Sequence, residues 1–507
     1  MRAWLSVLPL LCGCNDLLHI PSAAPLEPDA PLPGVTGVAI DTYWQTASHM
    51  TLPRDLTQWQ FSALVPNPDA AGGFDVYPGT GTRDGTFSIP GVPEGVTFML
   101  KAVNPAGITP SQRVRYFVGD RRQFDLGVDM LGRPSPAMTT QTTNLVLNLE
   151  NLKPYQDTDF LEVFCINNAG SVFGFNYREA LNLPDVNAAA LTGTTFDWSQ
   201  PYGPGSPRNP IVNGDLGDTI AIIQESSILT AKGVNVQTIA RVFTERFNQM
   251  DSATHTVNGA FVNTKPSLTL DTTFRRSLFE AHRAEVNPNV FELGDGEIGY
   301  GDSLLPAPNG HAQFGPTLDL VVSSLPAGTD DLAFGEYSYA DPFPASWEHL
   351  RLFIVPYFVS FTVDNGARSV FQSARWSGSR NLEFGTGTLV DVVEPLTSPV
   401  RSPMVNGSNA FVGGTLSASK PVVVSWTPPS VGTPALYWVV VYRAFNDAGK
   451  TRFGPEATMY TTATEATIPS ELVPAGSYRI FVIYAQSSND LVNSQIAPVI
   501  TDVWKVQ

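Results

Sequence analysis

Residues 466–487 read ATIPSELVPAGSYRIFVIYAQS, and this stretch decides the fold class that we expect for the chain. Pro474 precedes a run in which Tyr478, Ile480 and Val482 recur at every second position. A two-residue period is typical of a strand that buries one face of a sheet. The stretch therefore predicts a strand of a β-sheet protein.

Two further apolar runs precede this strand. PVVVSWTPP (421–429) places Trp426 at a strand end before a proline pair, and ALYWVVVYRA (435–444) follows as a second strand. With the pattern L-x-P-x-x-x-Y-x-I-x-V that starts at Leu472, this region resembles the fibronectin type III domain. The resemblance implies a β-sandwich with a core tryptophan and a tyrosine corner at Tyr478. Tyr484 departs from the small residue that the family often has there.

A second resemblance lies near the start of the chain, at GTFSIPGVPEG (85–95). Phe87 and Ile89 share one face of a strand, and the pairs Asp84-Gly85 and Glu94-Gly95 mark turns. The run is similar to the prealbumin-like, carboxypeptidase-regulatory-like sandwich, which implies an accessory rather than a catalytic domain.

The composition agrees with an all-β chain. Of 507 residues, 42 are Gly and 42 are Pro, while only 15% are charged and 43% are hydrophobic, which suits short strands and many turns. The net charge of −17 leaves no basic stripe for phosphates, so we expect no nucleic-acid partner. It gives no attraction to anionic lipid either.

The first fourteen residues, MRAWLSVLPLLCGC, combine one charge at Arg2 with a short apolar run. The ending Leu11-Cys12-Gly13-Cys14 resembles the lipobox of bacterial lipoproteins, with Cys12 in an atypical place. The resemblance implies that residues 1–13 are a signal peptide and that Cys14 is acylated. Asn15 after it favours the outer membrane, again by resemblance. An ordinary secretory signal with a chance cysteine is the alternative.

Residues 14–33 are rich in Pro and Ala, as expected of a tether. Beyond it the sequence predicts tandem β-sandwiches of immunoglobulin-like and prealbumin-like type. Ile239–Phe247 fits a helical stripe or a strand, and the all-β context favours a strand. One short helix is expected near 271–286, capped by Asp271. The expected domains are 34–128 (prealbumin-like), 138–270, 271–395 (helix plus sandwich) and 396–507 (fibronectin type III-like).

Candidate chemistry is sparse. Gly301-Asp302-Ser303-Leu304 matches the nucleophile motif of the GDSL hydrolases, but here it lies in a Gly-rich loop and the chain lacks that family's other blocks. His311 and His349 come after Ser303, and neither has an Asp three residues before it. A Ser303–His311 pairing stays open, because a triad is set by geometry. Cys165 reads as a small buried hydrophobe.

The loop at 295–302 holds Asp295, Glu297 and Asp302, which suggests either a calcium site or, more simply, a solvated acidic turn. No zinc signature, phosphate loop or other cofactor motif is present, so we expect no metal and no cofactor. The aromatic residues Tyr43-Trp44, Trp59 and Trp198 are either sugar-stacking platforms or core packing.

These patterns predict a non-enzymatic protein of structural, adhesive or binding role, held at the bacterial cell envelope by the lipid on Cys14. The expected partners are the membrane and, beyond it, polysaccharide or other envelope proteins. A glycan- or ester-hydrolase with a catalytic middle region, using Ser303, is the alternative, and a subunit of an envelope assembly is a third.

Overall fold

The computed structural model describes residues 34–45, 48–106, 113–165, 167, 170–173, 184–200, 208–291, 301–308, 319–324, 328–363, 368–418, 420–447, 450–489 and 492–507. These residues form four sheet-rich units along the chain, here called unit 1 (34–131), unit 2 (138–263), unit 3 (268–393) and unit 4 (396–507). The expected all-β class, built of sandwiches, is confirmed.

Unit 1 packs two layers around an aromatic core. Its strands are β1 (Gly34–Val38), β2 (Ile40–Trp44), β3 (His49–Pro53), β4 (Gln60–Pro66), β5 (Phe74–Gly81), β6 (Thr86–Pro90), β7 (Phe98–Val103), β8 (Val114–Gly119), β9 (Gln123–Asp125) and β10 (Asp129–Leu131). One layer runs β5–β4–β7–β8 and the other β9–β1–β6, with the end of β5 pairing β6. Phe87 and Ile89 are buried on one face of β6, and Phe87 stacks on Phe61 with ring centres 4.3 Å apart.

Unit 2 has a three-stranded and a larger layer. Its strands are β11 (Asn144–Glu150), β12 (Phe160–Cys165), β13 (Gly170–Phe173), β14 (Leu191–Asp197), β15 (Ile220–Leu229), β16 (Asn235–Glu245), β17 (Thr254–Ala260) and β18 (Val262–Asn263). The layers are β14–β11–β17 and β13–β12–β15–β16–β18. The strand expected from Ile239 onward is confirmed as part of β16, which ends at Glu245.

Unit 3 carries the helical residues. Its elements are β19 (Leu268–Phe274), α1 (Arg276–Glu280), α2 (Arg283–Val286), β20 (Val290–Phe291), β21 (Gly301–Pro308), β22 (Val321–Ser324), β23 (Leu332–Tyr339), β24 (Trp347–Val363), β25 (Arg368–Leu382) and β26 (Thr388–Val393). A layer β23–β19–β26 faces a layer β25–β24–β21–β22.

The expected helix start at Asp271 is wrong. Asp271 lies within β19, where Leu270, Thr272 and Phe274 are fully buried at a two-residue period. Strands pair with β19 on both sides, so the ladder satisfies its backbone groups and no cap is needed. The helical turns α1 and α2 begin only after this strand.

Unit 4 is a sandwich of immunoglobulin-like layout. Its strands are β27 (Arg401–Val405), β28 (Ser408–Asn409), β29 (Gly414–Leu416), β30 (Val422–Thr427), β31 (Leu436–Asp447), β32 (Lys450–Thr461), β33 (Glu465–Ile468), β34 (Tyr478–Gln486), β35 (Ser494–Ile500) and β36 (Trp504–Val506). The layer β28–β27–β30–β33 faces the layer β32–β31–β34–β35. Trp426 is buried between them, beside Tyr437.

Pairs of edge strands join the units, and we call these joints seams. The seams are β16 with β22 (units 2 and 3), β25 with β35 (units 3 and 4) and, in parallel, β32 with β8 (units 4 and 1). The larger layers of all four units thereby form one sheet. The spatial order along this sheet is 2–3–4–1, which differs from the chain order.

Apolar contacts cross the seams as well. Tyr116 and Met99 of unit 1 belong to the core cluster of unit 4, while Trp438 of unit 4 belongs to that of unit 1. At the same seam Glu471 of unit 4 accepts hydrogen bonds from Tyr116 Oη (2.6 Å) and Lys101 Nζ (2.7 Å) of unit 1. Units 1 and 4 therefore share buried surface as well as backbone pairing.

The seam between units 3 and 4 depends on a glycine. Gly378 of β25 pairs with Gln495 of β35. A methyl group at Gly378 would lie 2.3 Å from Phe353 Cε1 and 2.7 Å from Gln495 Cγ, well inside van der Waals contact. Phe353 is itself buried in the core, so it has little room to move.

We therefore expect Gly378→Ala to lower the free energy of unfolding by about 1–3 kcal/mol, the usual cost of overpacking. The matched control is Gly385→Ala, where the added methyl group meets no atom within 4 Å. Urea unfolding of both variants measures the difference. Equal stability of the two variants would contradict the close approach at this seam.

Candidate functional site

Ser303 does not lie in a loop, as the sequence suggested, but in the middle of β21. It pairs with Leu352 of β24 and Val322 of β22. Directly opposed residues of antiparallel strands point to the same face, so His349, three residues from Leu352, points to the other face. The structure thus does not bring Ser303 and His349 together, and His311 lies outside the described residues.

His349 belongs instead to a buried polar row. Its Nε2 lies 2.8 Å from Asp341 Oδ2, and its Nδ1 lies 3.0 Å from Tyr339 Oη. The ring of Phe384 packs edge-on against His349, with ring centres 5.0 Å apart. Burial raises the pKa of Tyr339, with smaller contributions from the nearby Tyr337 and Asp341. These bonds satisfy both ring nitrogens, which is typical of a structural histidine.

Asp302, the described member of the acidic loop, forms a buried ion pair. Arg351 Nε donates to Asp302 Oδ1 at 2.8 Å, and Arg351 Nη2 contacts the other oxygen. Arg351 also pairs with Asp391, which contacts Arg380 in turn. Both oxygens of Asp302 are therefore engaged by one guanidinium, and they are not available as calcium ligands. Asp295 and Glu297 lie outside the described residues.

Of the remaining residues that the sequence singled out, some lie outside the described residues and the others are buried or half-buried. Cys14 and the tether lie outside the described residues, while Cys165 is fully buried in the core of unit 2. Trp198 is also fully buried, and its Nε1 donates to the carbonyl of Pro210 at 2.7 Å, so it is not a sugar platform. Trp59 is half-buried and stacks on Phe61. No described helix is long and apolar enough to cross a bilayer.

A group of carboxyl side chains that the sequence analysis did not single out lies beside the seam of units 2 and 3. Glu162 lies on β12 and Glu225 on the neighbouring β15. Since Glu162 pairs with Ile223, Glu225 is its diagonal neighbour on the same face. Asp319 comes just before β22, the unit 3 strand of the seam. Glu162 is 4% and Glu225 1% exposed.

Each of the two glutamates has one carboxyl oxygen without a hydrogen-bond partner among the described residues, which is unusual for a buried polar atom. Within the described residues, Glu162 Oε2 and Glu225 Oε1 form no hydrogen bond. Ser227 Oγ and Gln237 Oε1, opposite each other on β15 and β16, are buried and unpartnered in the same part of the chain. Leaving such groups ionised would carry a large desolvation cost.

The pKa values respond to this burial. Burial raises the pKa of Glu225 well above its ordinary value, and repulsion from Glu162 and Asp319 adds to the effect. Burial likewise raises the pKa of Glu162, with repulsion from Asp319. Burial raises the pKa of Asp319 to about 7. The three groups therefore keep their protons to a higher pH than free carboxyl groups do, which is the property of a carboxylic general acid.

A metal is not favoured here. Among the residues that the structure describes, no set of three His, Cys, Asp or Glu side chains is arranged to hold a metal ion.

We call Glu162, Glu225 and Asp319 the carboxyl cluster. Its one sequence signal is a glutamate inside each of two apolar runs, FLEVFC at 160–165 and IAIIQES at 220–226.

Comparisons with known proteins add little to this geometry. No family model matches the chain, and none of the curated proteins does. Solved structures that share weak similarity include the FN1–FN3 domains of chicken CNTN1, with 7% identity over 92% of this chain and 100% of that chain, at a TM-score of 0.13. The Bacillus anthracis TIE protein has 7% identity over 94% and 74%, at 0.12. The native conformation of E. coli alpha-2-macroglobulin has 12% identity over 94% and 28%, at 0.12. Scores this low carry no inference about this chain.

The carboxyl cluster makes stability depend on pH. A carboxyl group whose pKa is raised by folding stabilises the folded state below its unfolded pKa, and that contribution is lost as the pH rises through the folded pKa. We expect the free energy of unfolding to fall as the pH rises from 5 to 8. The slope is up to about 1.4 kcal/mol per pH unit for each proton that the chain loses when it unfolds. Glu225→Gln, which mimics the protonated form, should flatten this slope and raise stability at pH 8. Urea unfolding at four pH values measures both effects.

Asp251→Asn is the matched control. Hydrogen bonds, chiefly from Thr140, hold the pKa of Asp251 at about 2, so this group stays ionised throughout the tested range. Its removal should leave the slope between pH 5 and pH 8 unchanged. A Glu225→Gln slope equal to that of the unmodified chain would show that this carboxyl does not titrate there.

Proposed function

We propose that this chain is a lipid-anchored protein of the bacterial cell envelope with a structural, adhesive or binding role rather than a catalytic one. The anchor is the acylated Cys14, and the Pro-rich segment at 14–33 separates it from the folded units. Placement in the outer membrane is part of the proposal and rests on Asn15 after the acylated residue.

The observation that best supports a structural role is the set of seams. Backbone pairing at β16–β22, β25–β35 and β32–β8 fastens four sandwiches into one body, and Tyr116, Lys101 and Glu471 reinforce the last seam. A body joined in this way holds the loops at its surface in fixed relative positions, which suits a scaffold that binds other molecules. Polysaccharide and other envelope proteins are the partners that we propose.

The finer domain assignments belong to the same proposal. Unit 1 is proposed to be a prealbumin-like domain, on the basis of Phe87 and Ile89 in the 85–95 run. Unit 4 is proposed to be a fibronectin type III-like domain, on the basis of buried Trp426 and its two facing layers. Both families are typical of accessory modules, which agrees with a non-enzymatic role.

Metabolic labelling with an alkyne analogue of palmitate tests the anchor. We expect the full-length chain to be labelled and to sediment with outer membranes, and Cys14→Ala to lose both properties. Cys165→Ala is the control, because that thiol is buried in unit 2 and should not affect labelling. Label on Cys14→Ala, or an unlabelled parent chain, would refute the lipid anchor.

A second candidate function is hydrolysis of a glycan or ester at the Glu162–Glu225 pair. The observation that favours it is the presence of two neighbouring buried carboxyl groups with raised pKa values and unpartnered oxygens. A carboxyl group with a raised pKa beside a second carboxyl group is the combination that glycosidases use. Ser303 plays no part in this candidate.

Assays of the chain from residue 15 on cell-wall polysaccharides and on nitrophenyl esters separate the two functions. The main proposal predicts no turnover above that of Glu225→Gln. The hydrolase candidate predicts turnover that Glu225→Gln reduces by roughly a hundredfold or more, the usual share of a general acid. Ser303→Ala is the control, and a selective loss of turnover in this variant would instead restore the GDSL interpretation.

A further inference from the structure

The strands β2, β3 and β10 form a small sheet, here called the ribbon, apart from the main layers of unit 1. β2 lies in the centre, with β10 parallel to it on one side and β3 antiparallel on the other. Every residue of β3 is exposed, so this strand projects from the body. Within the described residues β3 pairs only with β2.

One face of the ribbon carries a cross-strand row of apolar and aromatic side chains. Met130 pairs with Tyr43, which pairs with Met50, so the three lie side by side. Leu52 lies two residues from Met50 on the same face. Met50 and Met130 are each 41% exposed and Leu52 is 37% exposed, although such side chains are usually buried.

The opposite face has a second set, with Ile40 exposed and Trp44 half-buried. The indole Nε1 of Trp44 donates to Asp129 Oδ1 at 3.0 Å, and its ring packs on His49 with centres 4.6 Å apart. On the first face, opposite Leu52, the buried Asp41 is neutralised by Arg54, whose Nε lies 2.9 Å from Asp41 Oδ2. The ribbon therefore combines apolar side chains, a tyrosine and a tryptophan with few uncompensated charges, which is the composition of a membrane interface anchor.

The ribbon is also close to the proposed anchor along the chain. The described residues begin at Gly34, and the ten residues from there to Trp44 span at most about 35 Å. The segment 15–33 that precedes them can span up to about 65 Å when extended. A lipid on Cys14 would therefore leave the ribbon within reach of the same bilayer. The net charge of −17 gives no electrostatic attraction to anionic lipids, so a contact between the ribbon and the bilayer must depend on apolar side chains.

We propose that the ribbon lies in the interface of the bilayer that carries the lipid anchor, with Met50, Leu52 and Met130 inserted among the lipid headgroups. The proposal rests on the proposed function, because the anchor supplies the bilayer. It adds a second point of membrane contact, and two contacts fix the orientation of the body where one flexible tether does not.

The test replaces the lipid by another tether, so its outcome does not depend on acylation of Cys14. The chain from Asn15 carries an amino-terminal His tag and is bound to phosphatidylcholine vesicles that contain a nickel-chelating lipid. Met130→Cys on β10, on the same face as Met50, takes an environment-sensitive nitrobenzoxadiazole label, while Cys165 is buried away from the reagent. Val412→Cys in unit 4, which is 73% exposed in the parent chain, is the control label site.

We expect the label at position 130 to brighten about twofold or more on tethering, because an interfacial contact removes it from bulk water. The label at position 412 should not change. Met50→Glu with Leu52→Glu should abolish the increase, while Leu216→Glu with Leu229→Glu, which alters two more exposed leucines in unit 2, should preserve it. An unchanged label at position 130 in the otherwise unmodified tethered chain would overturn the proposal.

Two further measurements keep the result unambiguous. If the Met50/Leu52 variant does not fold, as judged by circular dichroism, quenching of the position 130 label by brominated phosphatidylcholine replaces it as the test. Absence of quenching would refute the contact. Sedimentation in solution examines a second copy of the chain as the occupant. A dimer that Leu52→Glu disrupts, without any vesicle response, would overturn the proposal. A parent chain that takes up no palmitate label would refute the lipid anchor. The vesicle experiment would still test the ribbon, because its tether does not depend on Cys14.

Discussion

The main constraint on this structure is that a β-sandwich leaves unpaired backbone groups at the edges of its sheets. An open edge is costly when buried and promotes aggregation when exposed. Here the edge strands β25 and β32 pair with β35 and β8 of another unit, and β16 pairs with β22 along the part of the strand that β18 leaves open. The same hydrogen bonds that form a sheet within a unit therefore determine how the units are arranged, and the apolar cores follow by crossing the joints.

Buried charge is handled in two different ways near the centre of the molecule. Asp302 and Asp391 are compensated by the guanidinium of Arg351, at the cost of a tightly defined geometry. Glu162 and Glu225 have no such cation among the described residues, and burial raises their pKa values instead. The second arrangement makes the region between units 2 and 3 sensitive to pH.

Local patterns predicted what depends on local burial. The alternation at Phe87 and Ile89 and along Tyr478–Val482 identified strands correctly. The first strand buries alternate residues, whereas Tyr478–Val482 belongs to a strand that is buried on both faces. The same reasoning failed at Asp271 and at Ser303. There the residue types favour a cap and a loop, but partner strands distant in the sequence supply the hydrogen bonds that make each position a strand.

The site residues were harder to predict for a related reason. Glu162 and Glu225 are far apart in the sequence, and only the register of β12 against β15 brings them together. Their one local signal is a charged residue within an apolar run. The seams had no signal at all, because edge strands differ from inner strands only by what lies beside them.

The spatial order 2–3–4–1 has a consequence for how the molecule folds. Unit 1 is synthesised first, yet the strand that covers its β8 edge comes from unit 4, which is synthesised last. During synthesis Met99 and Tyr116 of unit 1 therefore stay exposed to solvent until unit 4 has formed and packs against them. Contacts of such high sequence separation slow folding and prolong exposure of an aggregation-prone edge. The arrangement that makes the finished body continuous also makes the growing chain dependent on protection until its final residues are in place.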